Sequence, residues 1–228
     1  MKTQQVTLAQ EPKVADTVVV IDVCRAFTTA AFALAGGVQR LYLVGTVEEG
    51  FNLREAIPGS LLAGEVNGLP VPGFDLWNSP AQFTGSNLAG KTLILRTSAG
   101  TQGVIRYQRA KALFAAGFAT ARATVRAVRL SHPEQVTFVV TGVKPGDAGS
   151  EDIACADYMQ ALLVEKQVAV EPYLRASRKW NPGRITQDAA LLADLERDLA
   201  LCLQADRFNF AMRVVRLDGR LALEKFMS

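Results

Sequence analysis

The stretch from Thr17 to Gly37, TVVVIDVCRAFTTAAFALAGG, constrains the fold more than any other part of the chain. Val18 to Ile21 is an unbroken β-branched run, as in a strand covered on both faces, and the alanine-rich run from Ala26 to Ala35 reads as the helix that follows. The polar chemistry gathers around their junction, in Asp22, Cys24, Arg25, Thr28 and Thr29. A carboxylate and a guanidinium at the carboxyl end of a buried strand, beside the free N–H groups of a starting helix, suit a place where an anion and a metal meet. A capped helix fits the same residues equally well, with Asp22 bonding free N–H groups and Arg25 paired to a surface acid.

The pattern continues along the chain. Strands are predicted at Arg40–Val44, Ser60–Ala63, Lys91–Leu95, Ala112–Ala116 and Val136–Thr141. Helices are predicted at Val47–Ala56, Thr101–Gln108, Thr120–Leu130, in the segment from Ser150, at Glu171–Ser177 and at Gln187–Leu203. This alternation argues for an α/β fold, a three-layer α/β/α arrangement with a largely parallel or mixed central sheet and active-site loops at the carboxyl ends of its strands. The segment MRVVRLDGRLALEKF alternates about Asp218-Gly219 and reads as a terminal β-hairpin, whose apolar alternation is compatible with pairing across a homodimer. With 228 residues and no long linker, the chain reads as a single domain, residues 1–228.

Composition narrows the function classes. A net charge of +3 gives no reason to expect a nucleic-acid partner. The amino-terminal MKTQQVTLAQEPK lacks an apolar core and no apolar run approaches the roughly 18–20 residues that span a bilayer, so a cytoplasmic protein without membrane contact is expected. Cys24, Cys155 and Cys202 have no metal-ligand spacing and read as small buried hydrophobes in a reducing compartment. The single histidine, His132, rules out a histidine-rich metal site.

Two loops carry the remaining signal. Residues Gly64 to Phe83, GEVNGLPVPGFDLWNSPAQF, form a connection too long for simple linkage, and Phe74, Leu76, Trp77 and Phe83 argue that it packs and functions. The RTSAGTQG loop opens a helix with small hydroxyl residues and glycines, whose N–H groups suit a phosphate or sulfonate. Arg96, just before it, suits a second anion or a salt bridge equally. Ser150 resembles an N-cap, with Glu151 and Asp152 either favouring the helix dipole or turning back to help bind a metal. Arg122, Arg126 and Arg129 read as a solvated stripe, and Glu196, Arg197 and Asp198 as helix surface.

Taken in order, DVCRAFTT, GEVNGLPVPGFDLWNSP, RTSAGT and GSEDIACADY resemble the 2-phosphosulfolactate phosphatase family, often called ComB, over most of residues 17 to 206. The resemblance implies a three-layer α/β/α fold and Mg²⁺-dependent hydrolysis of 2-phospho-3-sulfolactate to sulfolactate and phosphate, on the coenzyme M route. It carries Asp22, Arg25, Thr28 and Thr29 onto the family's first turn, and Glu65, Asn67, Gly68, Asp75, Asn78 and Ser79 onto its loop motif. Thr97, Gly100 and Thr101 fall on its second small-residue motif, and Glu151 and Asp152 on its acidic pair. Cys24, Phe27 and Ser98-Ala99 depart from the family's usual residues.

The expected machinery follows. Asp22, Arg25 and Glu65 are the catalytic candidates, and Asp22, Glu65 and Asp152 the candidate ligands of Mg²⁺. Thr28, Asn67, Asn78, Ser79, Arg96, Thr97, Ser98, Gly100 and Thr101 are the candidate substrate contacts, for a small phosphorylated anion. Metal-bound water or Asp22 itself could attack phosphorus. Ala99 and Phe27 leave open a non-catalytic phosphate-ester-binding protein, or a phosphatase of another phosphorylated hydroxy acid.

Overall fold

The computed structural model describes residues 1–10, 16–142, 150–165 and 167–227. Strand β1 is Lys2–Thr7, β2 is Thr17–Ile21, and helix α1 is Ala26–Ala35. Then come β3 (Arg40–Leu43), α2 (Val47–Ala56), β4 (Leu61–Val66), β5 (Leu69–Pro70), β6 (Leu76–Trp77), α3 (Pro80–Phe83), β7 (Thr92–Arg96) and α4 (Gly100–Arg106). The chain continues through β8 (Ala112–Ala116), α5 (Ala121–Leu130), β9 (Gln135–Val140), α6 (Ser150–Val164), α7 (Glu171–Ser177) and α8 (Ala189–Cys202), and ends in β10 (Phe210–Leu217) and β11 (Arg220–Met227).

These strands form one mixed sheet of 11 strands in the order β1-β9-β2-β8-β10-β11-β3-β7-β4-β5, with β6 beside β4. The β2 residues are all buried and divide between its faces: Val18 and Val20 join a core with α1, Val19 and Ile21 a second core with α5 and α6. On the other side of the order, Leu41, Leu93 and Leu95 face α1 while Tyr42, Leu62 and Ile94 pack with Leu53 of α2. Helices thus cover both faces of the sheet, as the alternation of elements predicts.

The sheet curls. In strand order β2 and β7 are separated by β8, β10, β11 and β3, which at about 4.8 Å per strand is roughly 24 Å along a flat sheet. Yet a Cβ added to Gly100, at the start of the helix after β7, would lie 2.7 Å from Ala26 Cβ and 2.8 Å from Asp22 Oδ2. Helix α1, with nine buried residues from Ala26 to Leu34, fills the hollow between the two arms. Its small alanines let the arms approach, and Phe27, fully buried, anchors it.

Two features differ from the sequence reading. The polar strand β1 runs parallel to β9 at one end of the sheet order, where no strand was expected. The terminal hairpin lies inside the sheet: β10 pairs with β8 at Met212 and Arg213, and β11 pairs with β3 at Ala222 and Leu223. The basis for a hairpin-mediated homodimer is therefore removed, because both outer sides of the hairpin bond to strands of the same chain. Cap geometry at Ser150 concerns a side chain outside those described.

Candidate active site

Asp22 leaves the carboxyl end of β2, with its Oδ1 accepting the Ala26 N–H at 3.0 Å as the chain turns into α1. It therefore caps the helix, as one of the two readings of the first turn has it, and its Oδ2 lies against Gly100 at the start of α4. Asp22 is 6% exposed. Burial pushes its carboxyl from an ordinary 3.8 up to about 6; Glu65 adds to the rise, while bonds from Ala26, Thr141 and Gly100 oppose it. Asp152, at the start of α6, accepts from Val23 N at 2.8 Å and from Gly142 N at 2.8 Å. Burial, then Glu151 and Asp22, hold its carboxyl well above the usual range despite those bonds.

Glu65 comes from the opposite arm. It is the penultimate residue of β4, which leads through Val66 into a two-residue hairpin turn in which Asn67 and Gly68 both have positive φ, at 53° and 85°, and β5 pairs back onto β4. Its carboxylate closes this turn by accepting Gly68 N–H at 2.5 Å, and it accepts Ser98 N–H at 2.5 Å and the Ser98 hydroxyl at 3.0 Å. The strands β4 and β7 can meet here only because Gly64 lacks a side chain: a Cβ would sit 1.9 Å from Arg96 O, at a φ of +151°. Arg96 Nη1 donates to Glu65 O at 2.6 Å and to Ser98 Oγ at 3.2 Å, while its buried Nε has no partner among the described residues.

Arg25 is held on three sides. Nη1 pairs with Asp198 Oδ2 at 2.9 Å, with side chains 2% and 0% exposed. Nη2 donates to Gly68 O at 3.1 Å, and the guanidinium lies 4.1 Å from the centroid of Trp77. Asp198 also accepts the Ser79 hydroxyl at 2.7 Å and Ala81 N–H at 3.2 Å. The surface role expected of Asp198 is therefore wrong, although Glu196 and Arg197 are exposed. A signal was present: Leu195, Asp198 and Cys202 are the buried residues of α8, spaced so that they share one helix face.

The remaining candidates sort by what their polar atoms touch. Thr97 and Thr101 bond each other across the start of α4, Thr97 Oγ1 accepting Thr101 N–H at 3.0 Å and Thr101 Oγ1 accepting Thr97 N–H at 3.0 Å. Thr28 turns inward to donate to Val23 O at 2.8 Å. Asn67 presents an exposed side chain while its N–H donates to Ser98 Oγ at 2.8 Å. Asn78 is buried with Oδ1 unpartnered among the described residues. Asp75 faces elsewhere, pairing with Arg54 at 2.5 Å. Cys24 lies beside Cys202, and burial pushes its thiol well above the ordinary range, against a nucleophilic role.

Among the described residues no three of His, Cys, Asp and Glu converge as a ready metal cage. The expected trio of Asp22, Glu65 and Asp152 therefore does not form one by itself. A buried carboxylate whose proton affinity is raised by burial and by a neighbouring acid is nevertheless a hard oxygen donor, and Mg²⁺ is commonly held by one or two carboxylates with several waters. Asp22 with Asp152 fits that pattern.

A curled α/β sheet whose strand ends bring buried acids, hydroxyls and two arginines together defines an enzyme class that handles small anions. Residues 3–216 match the family described as 2-phosphosulpholactate phosphatase, and the chain belongs to that family. It is 37% identical over 209 residues to a probable 2-phosphosulfolactate phosphatase of Bacillus subtilis (strain 168), covering 91% of this chain and 90% of that protein. One of the same description from Thermus thermophilus is 32% identical, covering 88% of each chain. Another, from Carboxydothermus hydrogenoformans, is 41% identical over 66% of this chain and 61% of its own. The protein is a phosphatase of the phosphoric monoester hydrolase class. No described helix is long and apolar enough to cross a membrane.

Proposed function

We propose that the protein hydrolyses the phosphate monoester of a 2-hydroxy acid, converting 2-phospho-3-sulfolactate to 3-sulfolactate and phosphate with Mg²⁺, in the cytoplasm. The observation that carries this reading is the convergence of both arms on one loop: Gly100 packs on Asp22 while Ser98 bonds Glu65. Phosphoryl transfer depends on positioning and on neutralising charge at the transferring group. Asp22, with Asp152 near it, would hold the cation, and Mg²⁺ when bound would supply the positive charge that phosphoryl transfer needs. Arg25 offers them the N–H groups that Asp198 and Gly68 leave unused. Glu65 orders the Asn67-Gly68 turn and the Ser98 backbone around the pocket. Arg96, whose hydrogen-bond acceptors among the described residues are a carbonyl and a hydroxyl, attracts the second anionic group of the substrate.

Phosphate release from a panel of phosphorylated 2-hydroxy acids, 2-phospho-3-sulfolactate included, tests the reading with and without a chelator. Chelator-sensitive turnover of that substrate is expected. Binding without turnover in Mg²⁺ would favour a non-catalytic protein, and preference for another ester would replace the substrate.

A further inference from the structure

We propose that Asp198 is a positioning residue for Arg25, fixing from helix α8 the direction in which the guanidinium presents its free N–H groups to the phosphoryl group; this rests on the function proposed above. Asp198 Oδ2 holds Arg25 Nη1 at 2.9 Å, and Oδ1 is itself fixed by the Ser79 hydroxyl at 2.7 Å and Ala81 N–H at 3.2 Å. Two donors at the start of α3 therefore grip the acid before it grips the arginine. Two guanidinium N–H groups are committed, one to Asp198 and one to Gly68 O, and Trp77 covers one face of the plane. A planar group so fixed can turn its other donors only one way.

A role confined to stability explains this arrangement poorly. Fully burying an ion pair costs several kcal/mol in desolvation, and well-packed apolar residues usually serve a core as well or better. The pair is also linked to Glu65, because Gly68, whose carbonyl accepts from Arg25, donates its own N–H to the Glu65 carboxylate at 2.5 Å. Asp198 thus ties the far end of the chain to both arms through one guanidinium.

The test uses the whole chain, with calorimetric titration of inorganic phosphate and turnover of 2-phospho-3-sulfolactate, on Asp198→Asn, Arg25→Gln and the double variant. Asp198→Asn should weaken phosphate binding on the order of tenfold while the chain still melts cooperatively. If the acid acts through the arginine, the double variant should bind phosphate no more weakly than Arg25→Gln alone. Should Asp198→Asn fail to fold, the double variant, which carries a neutral pair, still gives that comparison. Unchanged or tighter phosphate binding in Asp198→Asn would overturn the proposal, showing that the acid only neutralises the arginine. Additive losses in the double variant, or a wild-type chain that binds no phosphate, would overturn it too. Wild-type failure to turn over the ester, with phosphate affinity still following the cycle, would sink the substrate and keep the positioning role; normal turnover with an unaffected Asp198→Asn would do the reverse.

Discussion

Thr17–Ala35 and Thr92–Arg106 are each a buried strand, a polar turn and a helix, and in sequence both look like anion sites, yet their arginines keep opposite company. Arg25 meets a carboxylate, a carbonyl and an aromatic face. Arg96 meets a carbonyl and a hydroxyl, and forms no ion pair among the described residues. The acids differ as well. Asp22 bonds its own helix and is left with a raised pKa, whereas Glu65 closes its own hairpin turn and reaches across to the turn after β7. The first turn is therefore a rigid charged fixture, whereas the second carries an arginine with no carboxylate in direct contact among the described residues, Glu48 acting on it only at a distance.

The largest effect expected from this contrast is on turnover. Asp22→Asn should lower Mg²⁺-dependent phosphate release by about a thousandfold or more, since it removes the charge proposed to hold the cation. The same change should stabilise the metal-free protein at neutral pH. Burial raises the folded-state pKa of Asp22 from 3.8 to about 6, so the folded chain binds the proton more tightly. The resulting stability is full below about pH 4 and is lost as pH rises to about 6, at most about 3 kcal/mol. Urea titrations at pH 4 and pH 7.5 should show the variant's advantage only at the higher pH. Wild-type turnover in Asp22→Asn would end its assignment.

Next in size is the stability contrast between the arginines. Arg25→Ala leaves Asp198 buried and uncompensated, with an expected cost of about 3–5 kcal/mol in denaturant unfolding. Arg96→Ala should cost only about 1 kcal/mol, the net worth of its hydrogen bonds. Equal losses would break the comparison.

Packing between the turns gives a smaller effect. Gly100→Ala places a methyl 2.7 Å from Ala26 Cβ and 2.8 Å from Asp22 Oδ2, so it should wedge the arms apart. A loss of about 1–3 kcal/mol is expected, with reduced kcat checked by phosphate release. An unperturbed Gly100→Ala enzyme would mean the arms need not meet.

Smallest is a selective effect on substrate binding. Arg96→Ala should raise KM on the order of tenfold for an ester with a second anionic group, and leave a phosphate monoester without one nearly unchanged. Equal increases for both esters would assign Arg96 to the phosphoryl group instead.

Much of the fold was legible because local patterns were strong. The helices Ala26–Ala35, Val47–Ala56 and Glu171–Ser177 and the strand Ala112–Ala116 were predicted at their observed bounds. Strand β1 was not, because KTQQVT is polar and an end strand needs no continuous apolar face. The hairpin was recognised but its place was not, since alternation fixes which side chains share a face and says nothing about which strands lie alongside. The site divided in the same way. Asp22, Glu65 and Ser98 were picked from their turns, but Asp198 offered one acid on an amphipathic helix, where exposure is the ordinary state. Its partner lies 173 residues earlier, a distance that no local pattern spans.

The hairpin's place also orders events in time. Strands β10 and β11 join the arm that carries Asp22 to the arm that carries Glu65, yet they follow both arms in the sequence. During synthesis, both arms and every residue assigned to the pocket emerge before the piece that fastens them side by side. Phosphatase activity should then arise in one late step, as residues 210–227 slot between β8 and β3.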